Sequence, residues 1–304
     1  MKIKWNKIYR ALKKELNCEV KKEVELKKYT TFRIGGKAKI MIFPTSQEDV
    51  IKAFFLIGEL PYYVLGGGSN VLACDEEYEG VVVNLRQFSG IAPVENGVEV
   101  LAGTSIAQVC KYYERNSFTG MEKLFGIPGT IGGAAVMNAG ANGGQLSDIV
   151  IGVLSISDGR IKYFSKKECL FGYRQSIFKK DAVILKVFLS CKRGDKEQIT
   201  KTMKESLEKK VSTQPLNQPS AGSVFKRKDN IIVSKMIDCE GLKGYNINDA
   251  AISTKHAGFI VNKGNASCKD VLALIDFLKK YFIRKEIELE EEICILQNDY
   301  RRKK

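Results

Sequence analysis

Residues 126–144 constrain the fold of this chain more than any other segment. Seven of these nineteen residues are glycine, alanines stand between them, and none is charged. Glycine loses more conformational freedom on folding than any other residue, so this density needs a cause. The spacing has no three-residue period and apolar residues are interleaved, which excludes a collagen-like segment or a flexible linker. We expect main chain lying against a flat or anionic nucleotide cofactor, with a purely structural glycine cluster as the alternative.

A second glycine-rich segment, residues 66–70, directly follows the short apolar stretch 62–65. The residues around it predict a β-α-β unit, with strands at 38–43, 62–65 and 80–85 and a helix that Ser46 caps. Backbone N–H groups after such a strand suit a phosphate. The segment is not a P-loop, because no Gly-Lys-Ser/Thr follows, and Val71 stands where the dinucleotide fingerprint needs its third glycine.

The remaining pattern predicts further alternation of helices and strands. Apolar alternation and turn signals predict strands at 98–102, 149–156, 162–164, 182–189 and 287–296, and helices at 105–115, 195–211 and 269–282. We therefore predict an α+β fold in three parts. These are an N-terminal amphipathic helix region at 1–26, a ligand-binding domain at 27–195 with two subdomains split near 90, and a C-terminal domain at 196–304.

Composition narrows the possible surroundings and partners. The chain has 304 residues, 44% hydrophobic and 28% charged, and no run approaches the ~20 apolar residues that span a bilayer. Its N-terminus alternates lysine with apolar residues and lacks the apolar core of a signal peptide, so we expect a cytoplasmic protein without a membrane partner. The net charge of +14 comes from scattered lysines, which favours a lysine-rich proteome or small polyanionic ligands over nucleic acid.

The cysteines and the single histidine argue against a metal site. The eight cysteines are at least 22 residues apart, without zinc-type spacing, and His256 is the one histidine. We expect free buried thiols, no disulfides and no metal.

Seven blocks, in order, resemble the UDP-N-acetylenolpyruvoylglucosamine reductase (MurB) family, and the resemblance runs from about residue 29 to 296. The blocks are TTFRIGG within 29–36, VLGGGSNVL at 64–72, the 126–144 segment, FGYRQS at 171–176, QPL at 214–216 with PSAGSVFK at 219–226, KHAGF at 255–259 and LEEEI at 289–293.

The resemblance implies noncovalently bound FAD in a two-subdomain fold of the vanillyl-alcohol-oxidase (PCMH) type, and a C-terminal α+β domain that closes the substrate site. The short 177–225 region resembles the form of the family without a tyrosine-bearing loop. The implied activity is UDP-N-acetylmuramate dehydrogenase. NADPH reduces the flavin, which passes hydride to the enolpyruvyl ether of UDP-N-acetylglucosamine. This reaction serves peptidoglycan synthesis, and with it cell shape and cell division. We expect a monomer or a weak dimer.

Three residues match the family's catalytic positions. Hydride addition to the alkene leaves negative charge over a carbon and its carboxylate, which needs fixed donors and a proton source. Arg174 suits the carboxylate, because guanidinium binds it bidentately. Ser223 is the implied proton donor. The nearby Ser220 is equally plausible as a helix cap or a turn former. Glu292 is the third residue, although a bulge would exchange its role with Glu291.

The blocks also supply binding residues. The implied FAD contacts are Gly66, Gly67, Gly68, Ser69 and Asn70 at the diphosphate and Gly129, Thr130, Gly132, Gly133 and Asn138 on a second wall. The implied substrate contacts are Tyr173, Lys226, Lys255 and His256, the last also suiting a buried structural histidine. Thr213 and Lys228 depart from the family pattern, and Lys210 can bind the phosphate or carboxylate that a threonine at 213 does not hold.

Two other functions fit the same residues. The flavin fold is compatible with a hydroxy acid oxidase that uses O₂. A basic protein that has lost catalysis and binds nucleic acid or nucleotide sugars is the second, although Arg174, Ser223 and Glu292 argue against such decay.

Overall fold

The computed structural model describes residues 4–179, 182–228 and 231–298. The ends of two predicted parts, residues 1–3 and 299–304, lie outside this range. The first part of the chain runs through α1 (Trp5–Glu15), β1 (Glu19–Glu25), β2 (Lys37–Phe43), α2 (Gln47–Ile57), β3 (Tyr62–Leu65), β4 (Val71–Ala73) and β5 (Tyr78–Asn84).

A mixed sheet organises this first part, with strand order β1-β2-β5-β3. Strand β5 pairs in parallel with β2 and β3, while β1 is antiparallel to β2. Helix α2 crosses over between the parallel strands, and it begins where predicted, because the Ser46 hydroxyl accepts the Asp49 N–H at 3.1 Å. The glycine-rich segment 66–70 therefore leaves the carboxyl end of the edge strand β3.

The second part is built on an antiparallel sheet of order β12-β11-β13-β7-β6. Its turn at Asp158 and Gly159 has φ angles of 50° and 69°, as a two-residue hairpin needs. The elements are β6 (Ile91–Val94), β7 (Gly97–Leu101), α3 (Ile106–Arg115), β8 (Phe118–Thr119), α4 (Ile131–Met137), β9 (Gly140–Ala141), β10 (Gly144–Gln145), β11 (Val150–Ser157), β12 (Arg160–Ser165), β13 (Ala182–Leu189) and β14 (Lys192–Arg193).

The third part places helices against a four-stranded antiparallel sheet of order β15-β18-β17-β16. The last strand of the chain is not part of that sheet and pairs in parallel with β4 of the first part. The elements are α5 (Lys196–Thr213), β15 (Ser220–Ser223), α6 (Val233–Cys239), β16 (Asn246–Ile247), β17 (Ala250–Ile252), β18 (Phe259–Asn262), α7 (Cys268–Ile283) and β19 (Cys294–Leu296).

Two helices pack across the limits of the predicted parts. Leu12 of the N-terminal helix is fully buried in the core that both sheets of the first two parts share. Ile199 and Met203 of α5 pack into that same core, although we assigned this helix to the C-terminal domain. Its apolar stripe meets α3 and β8, whereas the second core contains no residue of α5 and combines Phe32, Ile34, Leu72 and Cys74 with residues between 221 and 293.

The predicted strand at 287–296 is also shorter, because only Cys294–Leu296 pairs as a strand. The residues just before this strand instead form backbone hydrogen bonds with the segment that follows β15. The Glu292 N–H donates to the Val224 carbonyl at 2.7 Å, and the Lys226 N–H donates to the Glu290 carbonyl at 2.9 Å. The end of the chain therefore lies between β4 and the segment that follows β15.

The described ranges contain neither a membrane-spanning helix nor a metal-binding cluster. None of the helices there is long and apolar enough to cross a bilayer. No group of three or more His, Cys, Asp and Glu side chains in those ranges is arranged to hold a metal ion. All eight cysteines are free thiols.

Candidate active site

A cavity of about 1050 Å³ lies where the three parts of the chain meet. It is lined by both glycine-rich segments, by the loop that carries Arg174, by the end of α5, and by β15 with the residues that follow it. Arg174, Ser223 and Glu292 all line it, so the fold brings together three residues far apart in sequence.

The two glycine-rich segments pack main chain against main chain. A Cβ added to Gly67 would lie 2.6 Å from the Gly129 Cα, and one added to Gly66 would lie 2.5 Å from the Thr130 Oγ1. Gly68 has φ +67°, and its added Cβ would lie 2.1 Å from the Tyr29 carbonyl oxygen. Glycine is required here because no side chain fits between the two loops.

The loop at 67–70 offers unused donors to the cavity. Among the described residues, no protein group accepts a hydrogen bond from the N–H groups of Gly67, Gly68, Ser69 or Asn70. The Ser69 hydroxyl instead fixes the loop by donating to the Pro128 carbonyl at 3.0 Å. Successive free N–H groups in one concave turn form an anion site.

The second wall contributes surface rather than donors. Gly129, Thr130, Gly132 and Gly133 line the cavity, but the first turn of α4 already has protein partners. The Ile131 and Gly132 N–H groups donate to the Thr104 and Ala102 carbonyls at 2.8 Å and 2.9 Å, and the Thr130 hydroxyl accepts from Gly133 at 3.4 Å.

Asn138 was expected to contact the cofactor, and the structure places it elsewhere. It ends α4 in the left-handed conformation, is 2% exposed, and is absent from the cavity wall. The side-chain nitrogen Nδ2 of Asn138 donates to the Gly172 carbonyl at 3.0 Å, and its side-chain oxygen Oδ1 accepts from the Ser147 N–H at 3.0 Å. Because its polar atoms are used inside the protein, Asn138 holds the loop that carries Arg174.

Arg174 lies at the tip of a tight hairpin. Gly172 and Gln175 exchange both backbone hydrogen bonds, at 3.0 Å and 3.2 Å, and Arg174 between them has φ 52°. A non-glycine residue in this region costs about 1–2 kcal/mol, which surrounding contacts must offset. The hairpin aims the guanidinium into the cavity, where its Nε donates to Glu292 Oε1 at 2.5 Å.

The three consecutive acids at 290–292 point to three different partners. Glu292 pairs with Arg174, with 15% and 21% of the two side chains exposed. Glu291 pairs with Lys279 of α7 at 2.6 Å, and Glu290 pairs with Lys226. Glu292 lines the cavity, whereas neither Glu290 nor Glu291 does.

Lys226 was expected to contact substrate, but it does not line the cavity. Its neighbours Phe225 and Arg227 do. The Lys226 ammonium instead pairs with the Glu290 carboxylate.

Ser223 is turned toward the cavity by a local irregularity of β15. The pairing with β18 shifts between Ser220 and Ser223, and Gly222 there has φ +83°. The Ser223 hydroxyl donates to the Phe225 carbonyl at 3.3 Å, which is a long O–H···O distance and leaves the hydroxyl free to reorient. Ser220 is not part of the cavity wall.

The remaining predicted substrate residues, Tyr173, Lys255 and His256, also line the cavity. Tyr173 accepts the Arg227 N–H at 3.2 Å, and the Lys255 ammonium donates to the Val211 carbonyl at 2.6 Å. His256 lines the cavity while its Nδ1 accepts the Gly258 N–H at 3.2 Å, and burial lowers the pKa of its imidazole. A histidine held this way is neutral at physiological pH.

The sequence did not indicate most of the cationic side chains that line the cavity. Among the described residues, eight cationic side chains and two carboxylates line the cavity: Arg174, Lys179, Lys209, Lys210, Arg227, Lys235, Lys243 and Lys255, with Asp238 and Glu292. Burial lowers the pKa of Lys210 to about 8. The polar face of α5 was visible in the sequence, but only the packing of that helix aims its end into a cavity.

These features fit a dinucleotide cofactor. Free N–H groups lie at 67–70, a side-chain-free wall stands beside them, and the cavity carries an excess of positive charge. Its volume of about 1050 Å³ reaches the upper end of ordinary ligand pockets, which run to ~1,000 Å³. The residues present therefore suit FAD with a further anionic ligand beside it.

Comparisons with known proteins agree with this interpretation of the cavity. The family model described as an FAD binding domain matches residues 38–162, and that of the UDP-N-acetylenolpyruvoylglucosamine reductase C-terminal domain matches 214–296. The reductase of Thermotoga petrophila is 40% identical over 276 residues, covering 90% of this chain and 97% of that protein. The reductase of Clostridium novyi is 38% identical over 283 residues, covering 91% and 92%.

A solved structure supports the fold over nearly the whole chain. The crystal structure of the reductase from Thermus caldophilus superposes with a TM-score of 0.80 at 34% identity, covering 93% of this chain and all of that one. The predicted fold class, an α+β FAD-binding fold followed by a C-terminal α+β domain, is thereby confirmed. The chain belongs to the UDP-N-acetylenolpyruvoylglucosamine reductase (MurB) family, the FAD-binding oxidoreductases of peptidoglycan synthesis.

Proposed function

We propose that this protein uses NADPH to reduce UDP-N-acetylglucosamine enolpyruvate to UDP-N-acetylmuramate in the cytoplasm, as a step of peptidoglycan precursor synthesis. The single observation that carries the proposal is the meeting of Arg174, Glu292 and Ser223 in a cationic cavity walled by glycine main chain. Bound FAD supplies the chemistry of hydride transfer from the nicotinamide to the substrate alkene.

FAD is held in the proposal by the donors and the wall described above. The N–H groups of 67–70 bind its diphosphate, and the packed glycines of both loops exclude side chains from the space it needs. The cations at the end of α5 and after β15 bind the diphosphate of the UDP-sugar. Opposite charges in a cavity with low-dielectric walls attract polyanions over a distance and bind them on arrival.

Arg174 stabilises the substrate carboxylate as negative charge grows on it. Its Nε donates to Glu292, and this ion pair orients the guanidinium. Its Nη2 makes a 3.3 Å contact with the Gly140 carbonyl. A preoriented guanidinium costs no reorganisation when the charge develops, and this is the usual source of a large rate effect.

Ser223 delivers the proton in this proposal. Its hydroxyl makes one long hydrogen bond to the protein, so it can turn toward a substrate carbon. Serine is a weak acid toward water, but an enolate carbanion is basic enough to take its proton. Glu292 lies close by, since the residue after Ser223 accepts the Glu292 N–H at 2.7 Å.

Replacing Ser223 by alanine tests the proposal. We expect S223A to keep reduction of bound flavin by NADPH while substrate reduction falls by about 10²–10⁴-fold, the usual contribution of a positioned acid. Stopped-flow absorbance of the two half-reactions separates them. S220A is the matched control, because Ser220 is in the same strand but not in the cavity wall, and it should keep both rates.

Two outcomes would contradict the proposal. If both half-reactions fall together in S223A, the hydroxyl is not the proton donor. If the purified protein forms peroxide rapidly with a hydroxy acid and ignores the enolpyruvyl ether, the oxidase function replaces the reductase function.

A further inference from the structure

Two cysteine thiols touch across the boundary between the FAD-binding part and the C-terminal domain. The Cys74 and Cys268 sulfur atoms are 2.9 Å apart, although 194 positions separate the residues. Cys74 falls within the matched FAD-binding segment and Cys268 within the matched C-terminal domain. Of the eight free cysteines, this is the one pair in the described residues whose sulfurs are in contact.

The backbone holds both cysteines firmly in this position. The Cys74 N–H donates to the Leu296 carbonyl at 2.9 Å, and its carbonyl accepts from Gly36 at 2.8 Å. The next residue, Asp75, accepts the Cys268 N–H at 3.0 Å and the Lys269 N–H at 3.3 Å. An aspartate from one part of the chain thus caps the first turn of α7 in the other, and this contact holds the two thiols side by side.

One of the two cysteines borders a cavity of its own. Cys74 is 7% exposed and lines a separate cavity of about 200 Å³, whereas Cys268 is 1% exposed. Leu26, Tyr78 and Leu296 line the same cavity, which lies away from the Arg174 site. The contact with the Cys268 thiol also lowers the pKa of Cys74, which favours the nucleophilic thiolate.

We propose that Cys74 and Cys268 form an oxidation site, at which a peroxide converts the thiol pair into a disulfide that links the FAD-binding part to the C-terminal domain. The Cys74 thiolate attacks one oxygen of hydrogen peroxide, the O–O bond breaks, and the departing hydroxide takes up the thiol proton as water. The Cys268 sulfur then attacks the sulfenic sulfur, the S–O bond breaks, and the hydroxyl leaves with the second thiol proton as another water. Two electrons pass from the sulfurs to the peroxide.

The link would restrain the relative movement of the two parts. Cys74 directly follows β4, whose other end adjoins Asn70, and β19 beside it begins two residues after Glu292. A crosslink that closes so long a loop strongly limits the unfolded chain. We therefore expect the oxidised protein to be more resistant to heat than the reduced protein.

Peptide mapping and thermal melting of the full chain test this site. Reduced protein is treated with hydrogen peroxide, free thiols are alkylated, and the digest is analysed without reductant. We expect one linked peptide pair containing Cys74 and Cys268, and a rise in Tm of about 5–10 °C that dithiothreitol reverses. C239S is the control, because it removes the exposed thiol and should keep both effects.

The wild-type digest decides the question even where a variant folds poorly. C74S and C268S should each lose the linked peptide and the rise in Tm. The proposal fails if Cys74 and Cys268 stay alkylated while Cys239 is oxidised, if Cys74 stops at a sulfur acid, or if the linked protein melts no higher. None of these measurements requires turnover, so they stand apart from the reductase function.

Discussion

Replacing Gly68 by alanine tests whether the tight packing of the glycine loops builds the cofactor site. The added Cβ would lie 2.1 Å from the Tyr29 carbonyl oxygen and 3.0 Å from the Thr30 Cα. Non-bonded heavy atoms normally stay ~3.5–4.0 Å apart, so the main chain must move. The segment it meets is tied down, because the Thr31 N–H donates to the Gly68 carbonyl at 3.0 Å.

The cost follows from three contributions. A non-glycine residue at φ +67° costs about 1–2 kcal/mol. Overpacking against backbone adds about 1–3 kcal/mol, and weakening the hydrogen bond to Thr31 adds about 1 kcal/mol. G68A should therefore destabilise the protein by about 3–6 kcal/mol and bind little flavin.

Gly143 offers a matched control in the wall of the same cavity. Its φ is +76°, so alanine there meets the same backbone cost, but nothing lies within 4 Å of its added Cβ. G143A should lose about 1–2 kcal/mol and retain flavin. Urea unfolding of the flavin-free proteins gives the two free energies, and flavin absorbance per protein gives occupancy. If the two variants agree within about 0.5 kcal/mol, the loops are not packed as described.

Two further predictions concern charge in the cavity. R174K should lower substrate reduction by about 10²–10³-fold in steady-state assays, because lysine keeps the charge but loses the planar guanidinium that Glu292 orients. R86K, at an exposed arginine, should not lower it. Near-normal turnover of R174K would exclude Arg174 as the group that stabilises the substrate carboxylate. Burial lowers the pKa of Lys210 to about 8, so this lysine loses its charge as the pH rises through that value. Calorimetry should find that UDP binds the wild-type protein more weakly above about pH 8, while the charge of the UDP phosphates stays constant near that pH. K210M should bind UDP weakly, with an affinity that does not change over this pH range. K196M, at the other end of α5, should retain the wild-type profile, and a wild-type affinity independent of pH would exclude Lys210 as a phosphate contact. By linkage, the folded state binds fewer protons at Lys210 than the unfolded chain between about 8 and 10.5, so this group makes the protein more stable as the pH rises through that window.

Local signals in the sequence predicted the elements and the site residues that depend on short-range chemistry. Ser46 caps α2 as predicted, and Ser105 caps the helix that we predicted at 105–115, because a cap needs only its own side chain and the next turn. A turn at Asp158 and Gly159 joins the strands that we predicted at 149–156 and 162–164, because its φ values are local properties. The glycine segments likewise indicated main chain without room for side chains.

Tertiary structure decided which face each side chain presents and which element it meets. Lys226 and Asn138 belong to the right segments, yet the Lys226 ammonium pairs with Glu290 and the Asn138 side chain is held by hydrogen bonds to Gly172 and Ser147. Helix α5 packs on the first core because its apolar stripe meets α3 and β8, which lie far away in sequence. Glu292 rather than Glu291 meets Arg174 because the end of the chain crosses between two distant segments. Local propensity is encoded within a few residues, but direction and partner depend on contacts across the whole chain, which no single segment specifies.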